Sequence, residues 1–364
     1  VTYRSRSEFD KARDLLTQAV ALNRDHGAPA DRLATALSEL AWVETYVENY
    51  DLAKQYLTQG LAQISSLGSA YAEQRGLMLQ RLAIVEMNRQ DLVAADERLA
   101  EALSEFEVQQ PVSQQHLSST LSLRGSVAYG RNDLDTALAA YEAALPAKKE
   151  IFGEAHHSVA LSISNIATVR FQRGEHAEAA ARYREAISIN EAFFGTGEHV
   201  QLGNNWRGLA KALQGLGAFE QSIEAFLRAL DIWKATLGES HSETLRVRAE
   251  LAEFLWLLGR FDDAVAAQAS APVELLESRD QELACLARVL TAVRAWHLDA
   301  ALSSADPDCI SILPVEKQWR ARALLAIATP SMRQRWSIPF SVDAVGRSPL
   351  FNAAIETLES LSVD

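Results

Sequence analysis

An apolar residue followed by a small one recurs along the chain as Leu40-Ala41, Leu82-Ala83, Ile166-Ala167, Leu209-Ala210 and Leu251-Ala252, with Arg124-Gly125 as the departure. Twelve residues after each small one stands another, in Ala53, Ala95, Ala137, Ala179, Ser222 and Ala264. Seven residues further comes a third, in Gly60, Ala102, Ala144, Ala186, Ala229 and Ala271, and Ala12 with Ala19 begins the series. Successive copies lie 41 to 43 residues apart. A step of seven is about two helical turns, so the second and third small residues share one face, where a neighbouring helix can approach closely. Between the first and second, Asn132-Asp133, Gly174-Glu175, Gly217-Ala218 and Gly259-Arg260 mark a helix stop with a left-handed cap. Each copy therefore predicts two antiparallel helices joined by a tight turn, and their repetition predicts a solenoid.

These residues resemble the tetratricopeptide repeat. Trp206, Leu209, Ala210, Gly217, Ser222, Phe226 and Ala229 fill the bulky, small and turn positions of that family's pattern, and Ile163, Ile166, Ala167, Gly174, Ala179, Tyr183 and Ala186 fill them one copy earlier. The common repeat has about 34 residues. The excess here follows the second helix, in the segments 151–156, 193–199 and 236–241. Long repeats of this kind resemble those of kinesin light chains and of bacterial signalling proteins, where such arrays are fused to serine/threonine protein kinases. The resemblance implies an all-α, right-handed superhelical solenoid of antiparallel helix pairs with a C-terminal helical cap. Residues 1–271 are expected to form six complete repeats and a leading half-repeat, and residues 272–364 the cap. The implied function is a sensor or interaction domain of a larger bacterial signalling protein, expected to be a kinase. Two other readings stay open: a self-association or intramolecular scaffold module, and a receptor for a signalling peptide or small ligand.

In the family, the first helix of each repeat lines the concave groove. Carried over residue by residue, the expected partner-binding set is Trp42 and Tyr46, Gln80 and Asn88, Ser122 and Tyr129, Ser164 and Phe171, then Asn204, Arg207, Lys211, Arg246 and Trp256. The first half offers hydroxyls and aromatics; the second carries the cations Arg207, Lys211 and Arg246. Arg207 and Lys211 are four apart on one helix and repel by about 0.2–0.5 kcal/mol. An acidic or phosphorylated group on the partner would relieve that repulsion, and so would Glu198, Glu250 or Glu253 of the chain itself.

Composition narrows the partner class. A formal net charge of −13 opposes a phosphate backbone, so no nucleic acid is expected. The apolar runs are shorter than the roughly 18 residues that cross a membrane. His156, His157, His199 and His241 fall in the long loops one repeat apart, which suits local caps rather than convergence on one metal ion. Cys285 and Cys309 form no metal-ligand spacing and are either free thiols or a disulfide. No nucleophile elbow, phosphate loop or metalloprotease motif occurs, so no catalytic residue, metal or cofactor is expected. Beyond residue 271 six of nine prolines accumulate, with helices expected over 281–296, 315–328 and 349–361. The first residue is Val1, without methionine, and residues 7–12 already read as the second helix of a repeat whose first helix is missing, so a fragment or a processed product is expected. A kinase-linked array is expected on the extracytoplasmic side of a membrane, the cytoplasm being the alternative.

Overall fold

The expected helices are present in the computed structural model, which describes residues 3–108, 112–195, 199–268, 289–290, 293, 323–324 and 349–360. In chain order they are α1 (Tyr3–Asp25), α2 (Ala30–Tyr46), α3 (Tyr50–Ile64), α4 (Ala72–Asn88), α5 (Leu92–Val108), α6 (Gln114–Gly130) and α7 (Leu134–Phe152). They continue as α8 (His157–Gln172), α9 (His176–Phe194), α10 (Val200–Gly215), α11 (Phe219–Leu237), α12 (Ser242–Leu257), α13 (Phe261–Gln268) and α14 (Pro349–Ser360). Among the described residues there is no strand. The chain is all-α, with α2 to α12 alternating as first and second helices of successive pairs and α1 as the leading second helix.

The helices gather into two compact units, Val1–Arg173 and Gly174–Asp364. In the first, each helix from α1 to α8 packs on the next, and α2 also meets α4 as α4 meets α6. In the second, α9 to α13 pack in order and α14 lies against α10 and α12.

Small residues set the approach of the helices. Ala41, Ala53, Ala83, Ala95, Ala102, Ala167, Ala210 and Ala229 are wholly buried, so a larger side chain at any of them would push two backbones apart. Ser222 fits the same place because its Oγ donates to the Ala210 carbonyl at 2.8 Å, which removes the cost of burying a hydroxyl. Around these contacts lie layers such as Leu57, Ile64, Met78, Leu82 and Val85. Each such side chain contributes about 1.5–3 kcal/mol on burial.

Six turns within the pairs share one geometry. Glu48 (φ 63°), Gln90 (64°) and Asn132 (58°) adopt the left-handed backbone that Gly174 (78°), Gly217 (74°) and Gly259 (71°) adopt at the equivalent places. The next N–H turns back to the helix, as from Asn49 to Glu44 O at 2.8 Å, Asp91 to Glu86 O at 2.9 Å and Arg260 to Leu255 O at 2.9 Å. Otherwise orphaned carbonyls are thereby satisfied. The long loops are also alike: His156, His199 and His241 cap α8, α10 and α12, their Nδ1 atoms accepting from the N–H groups of Ser158 (3.1 Å), Gln201 (3.2 Å) and Glu243 (3.2 Å). These histidines are local helix caps.

Cys285, Cys309, Ala271 and the helices expected over 281–296 and 315–328 lie outside the described residues, apart from buried Val289, Leu290, Val293, Ala323 and Leu324. The helix expected over 349–361 is α14. Among its described side chains Leu350, Ala354 and Thr357 are buried, on one helical face. Thr357 donates to the Leu257 carbonyl at 3.1 Å. The α12 helix is itself deeply buried. Twelve of its sixteen residues are buried, against eight of sixteen in α8, so α12 is enclosed on nearly all sides rather than along one stripe.

Candidate functional site

The first helices of the first unit present an aromatic cluster at one end. Trp42 and Tyr46, one turn apart on α2, meet edge to face with centroids 5.2 Å apart, and Phe9 of α1 stacks on Tyr46 at 5.4 Å. The Arg81 guanidinium lies 5.4 Å from the centre of the Trp42 ring and donates to Ser38 Oγ at 2.8 Å. The Tyr46 ring is thus held by two aromatics while remaining 51% exposed. A large ring already fixed in place loses little entropy on contact with a partner, the property of an interface anchor.

The polar residues of the same face divide into two groups. Gln80 donates to Ser119 Oγ (2.8 Å) and Thr120 Oγ1 (2.7 Å), joining α4 to α6. Gln74 reaches Thr35 Oγ1 at 2.9 Å, and Gln172 reaches the Tyr129 hydroxyl at 3.2 Å. Ser122 Oγ donates to Ser118 O at 2.8 Å within its own helix, and Ser164 is buried. Gln80 therefore serves the stack of first helices, Ser122 is engaged within α6, and Ser164 is enclosed. Asn88 is exposed, and Trp42, Tyr129 and Phe171 are half-buried. Tyr46 and Asn88 remain the most available of the expected residues in this unit.

In the second unit the expected cationic end is an ion-paired cluster. Arg207 forks onto Glu250, with Nε to Oε2 at 2.7 Å and Nη2 to Oε1 at 2.5 Å, and Lys211 Nζ reaches Oε1 at 2.8 Å. Burial by itself would raise the Glu250 pKa; Lys211 and Arg207 more than offset it and hold the carboxyl at about 2. Arg246 lies 3.7 Å from Glu243. The mutual repulsion of Arg207 and Lys211 is thus relieved within the chain, by one of the three glutamates that stood as alternatives. Asn204 is exposed. Trp256 departs from the groove expectation: it is wholly buried, with Phe261 5.5 Å away across the turn. The signal was legible in Phe254-Leu255-Trp256-Leu257, an apolar run too long for a helix with one wet face.

One further row, outside the groove positions, follows the same register. Arg89, Arg131 and Arg173 recur at 42-residue spacing just past the ends of α4, α6 and α8. Arg89 pairs with Asp51, Arg131 Nη1 lies 3.3 Å from Asp96 Oδ2, and Arg173 Nη1 lies 2.6 Å from Asp135 Oδ1. Among the described residues no group of His, Cys, Asp and Glu could hold a metal ion, and no helix is long and apolar enough to cross a membrane.

Residues 116–192 and 201–271 match the family described as tetratricopeptide repeat. No curated protein matches the chain in sequence. Among solved structures, it is similar to a Signal Transduction ATPase with Numerous Domains protein with a tetratricopeptide repeat sensor from Pyrococcus horikoshii (TM-score 0.61, 15% identity). That match covers 97% of this chain and 50% of the other, so this chain spans half the length of that protein. It is also similar to the apo form of RapI (TM-score 0.57, 12% identity, 97% of this chain and 98% of that one). A third is BtubC from P. vanneervenii (TM-score 0.56, 15% identity, 62% and 91%). At these identities the likeness is one of fold.

Proposed function

We propose that this chain is a non-catalytic interaction array that recognises a peptide or protein segment along the first helices of its first unit. The observation that carries this reading is the exposed Tyr46 ring, braced by Phe9 and Trp42 at the end of a wall of first helices cross-linked by hydrogen bonds. Tetratricopeptide repeats are in general protein-interaction modules. The second unit contributes less open surface, because Glu250 occupies Arg207 and Lys211, Arg246 lies beside Glu243 and Trp256 is enclosed.

A sensor role in a larger bacterial signalling protein, a serine/threonine kinase being the first candidate, is the context we favour. Its support is the long-repeat pattern, together with the likeness in fold to a protein whose name includes a tetratricopeptide repeat sensor. The test is site-specific photocrosslinking in native extract from position 46, compared with position 15 on α1, where Leu15 is also exposed. A product formed from position 46 and abolished by Trp42→Ala is expected. Equal products from both positions would refute recognition by this face.

A further inference from the structure

Along the edge where each first helix ends, the two units differ. In the first, Tyr46, Asn88, Gly130 and Gln172 are exposed at the last residue or last turn of α2, α4, α6 and α8. At the equivalent places in the second, Gly215 is half-buried and Leu257 is wholly buried, while the next residue along from Gly215, Leu216, is 45% exposed. What lies there is α14. Its Pro349 stands over Gly217, within 3.1 Å of where a Cβ would be, and its Thr357 stands over Gly259 at 3.4 Å. Pro349 and Thr357 are eight residues apart, about 12 Å of helix. One repeat step of this edge is thus spanned by two turns of a helix laid across it, with Leu350, Ala354 and Thr357 on the buried side.

The same edge of the first unit is lined by larger side chains, including Tyr46, Met87 and Tyr129. Where the second unit has Leu216 and Leu258, the first has Arg89, Arg131 and Arg173. The carboxylate partners of Arg89 and Arg173, Asp51 and Asp135, are 86% and 89% exposed, whereas Asp96, the partner of Arg131, is 27% exposed and shared with Arg124. Ion pairs as solvated as the first two contribute about 0–1 kcal/mol, so Arg89 and Arg173 can share or exchange them for a ligand's carboxylates at little cost, and Arg131 can share its charge while Asp96 keeps Arg124.

We propose that the edge of the first unit formed by the ends of α2, α4, α6 and α8 docks an amphipathic helix of a partner protein. Its apolar stripe lies on Tyr46, Met87 and Tyr129, and an acidic flank meets Arg89, Arg131 and Arg173. The occupant is helical because α14 supplies the geometry on the equivalent edge, and acidic because the arginines recur once per repeat step. Glutamates about eight residues apart on the ligand would meet successive arginines. This rests on the recognition reading above and specifies what is recognised.

The test uses the full chain and three fluorescein-labelled 20-residue peptides, read by anisotropy. One carries a Leu/Ala stripe flanked by glutamates, the second has lysines in their place, and the third is the first interrupted by two prolines. The glutamate-flanked helix is expected to bind at least tenfold tighter than either other peptide. The triple variant Arg89→Glu, Arg131→Glu, Arg173→Glu is expected to reverse the preference towards the lysine-flanked peptide, which loss of folding would not do. Equal binding of the proline-interrupted peptide, or an unreversed preference, overturns the proposal. So does failure of all three to bind; persistence of the position-46 crosslink would then leave the wider recognition reading standing, and its loss would remove both.

Discussion

Gln90 holds a left-handed backbone (φ 64°) at a place where three other turns use glycine. A side chain there costs about 1–2 kcal/mol, partly offset by the greater freedom glycine loses on folding. Gln90→Gly is therefore expected to stabilise the chain by about 0.5–1 kcal/mol, read as a higher denaturant midpoint with an unchanged slope. A second residue goes against its register. Ile64, Phe106, Lys148, Asn190 and Trp233 hold equivalent positions on successive second helices, and Ile64, Phe106 and Trp233 are buried apolar anchors. Asn190 is equally buried, and neither its Oδ1 nor its Nδ2 has a hydrogen-bond partner. Asn190→Leu is expected to stabilise the second unit by about 1–3 kcal/mol, and a lowered melting temperature would contradict this. Lys148 reaches Ser162 Oγ at 2.8 Å, and burial lowers its pKa. The left-handed turns at Glu48 and Gln90 were not legible in the sequence, because neither residue type marks a helix stop. Those at Asn132, Gly174, Gly217 and Gly259 were.

Between elements, the Arg207-Lys211-Glu250 cluster ties α10 to α12. The folded Glu250 carboxyl titrates at about 2 instead of 4.5, so its contribution is fully present above pH 4.5 and is lost as pH falls towards 2. Glu250→Gln is expected to cost about 3 kcal/mol at neutral pH, since it leaves two half-buried cations facing each other. The difference from the parent chain should shrink steadily in melts between pH 5 and pH 2. A pH-independent difference would mean that the carboxylate acts through packing rather than charge. The loop histidines act at the same scale. Imidazole Nδ1 accepts the second N–H of α8, α10 and α12, a task more often given to Ser, Thr, Asn or Asp. His241→Ala is expected to destabilise α12 by about 0.5–2 kcal/mol, visible as faster amide exchange at Glu243.

At the scale of the molecule, the second unit carries its own covering helix. Deleting residues 349–364 removes the buried Leu350 and Ala354 side chains and the Thr357 bond to Leu257. That is expected to lower the stability of the second unit by about 2–4 kcal/mol. Amide exchange at Leu258, Gly259 and Arg260 should accelerate, while α2 to α6 keep their protection. Unchanged exchange at Gly259 would show that α14 contributes nothing there. On the proposed reading, the recognition surface accordingly lies in the first unit.

The period of small and apolar residues by itself determined the helices, their pairing and most of their turns. Helix packing at a fixed distance needs a small residue at a fixed interval, and that need is written locally. It also placed Tyr46 and Asn88 on an open face. Which polar residues of that face remain available was decided only by the tertiary structure, because Gln80 and Arg207 bond to residues 39 to 43 positions away on the next first helix. Trp256 is likewise decided by the tertiary structure, since it is wholly buried where the register expects a groove position; at the neighbouring end of α12, Thr357 of α14 returns from 100 residues further on to bond the Leu257 carbonyl.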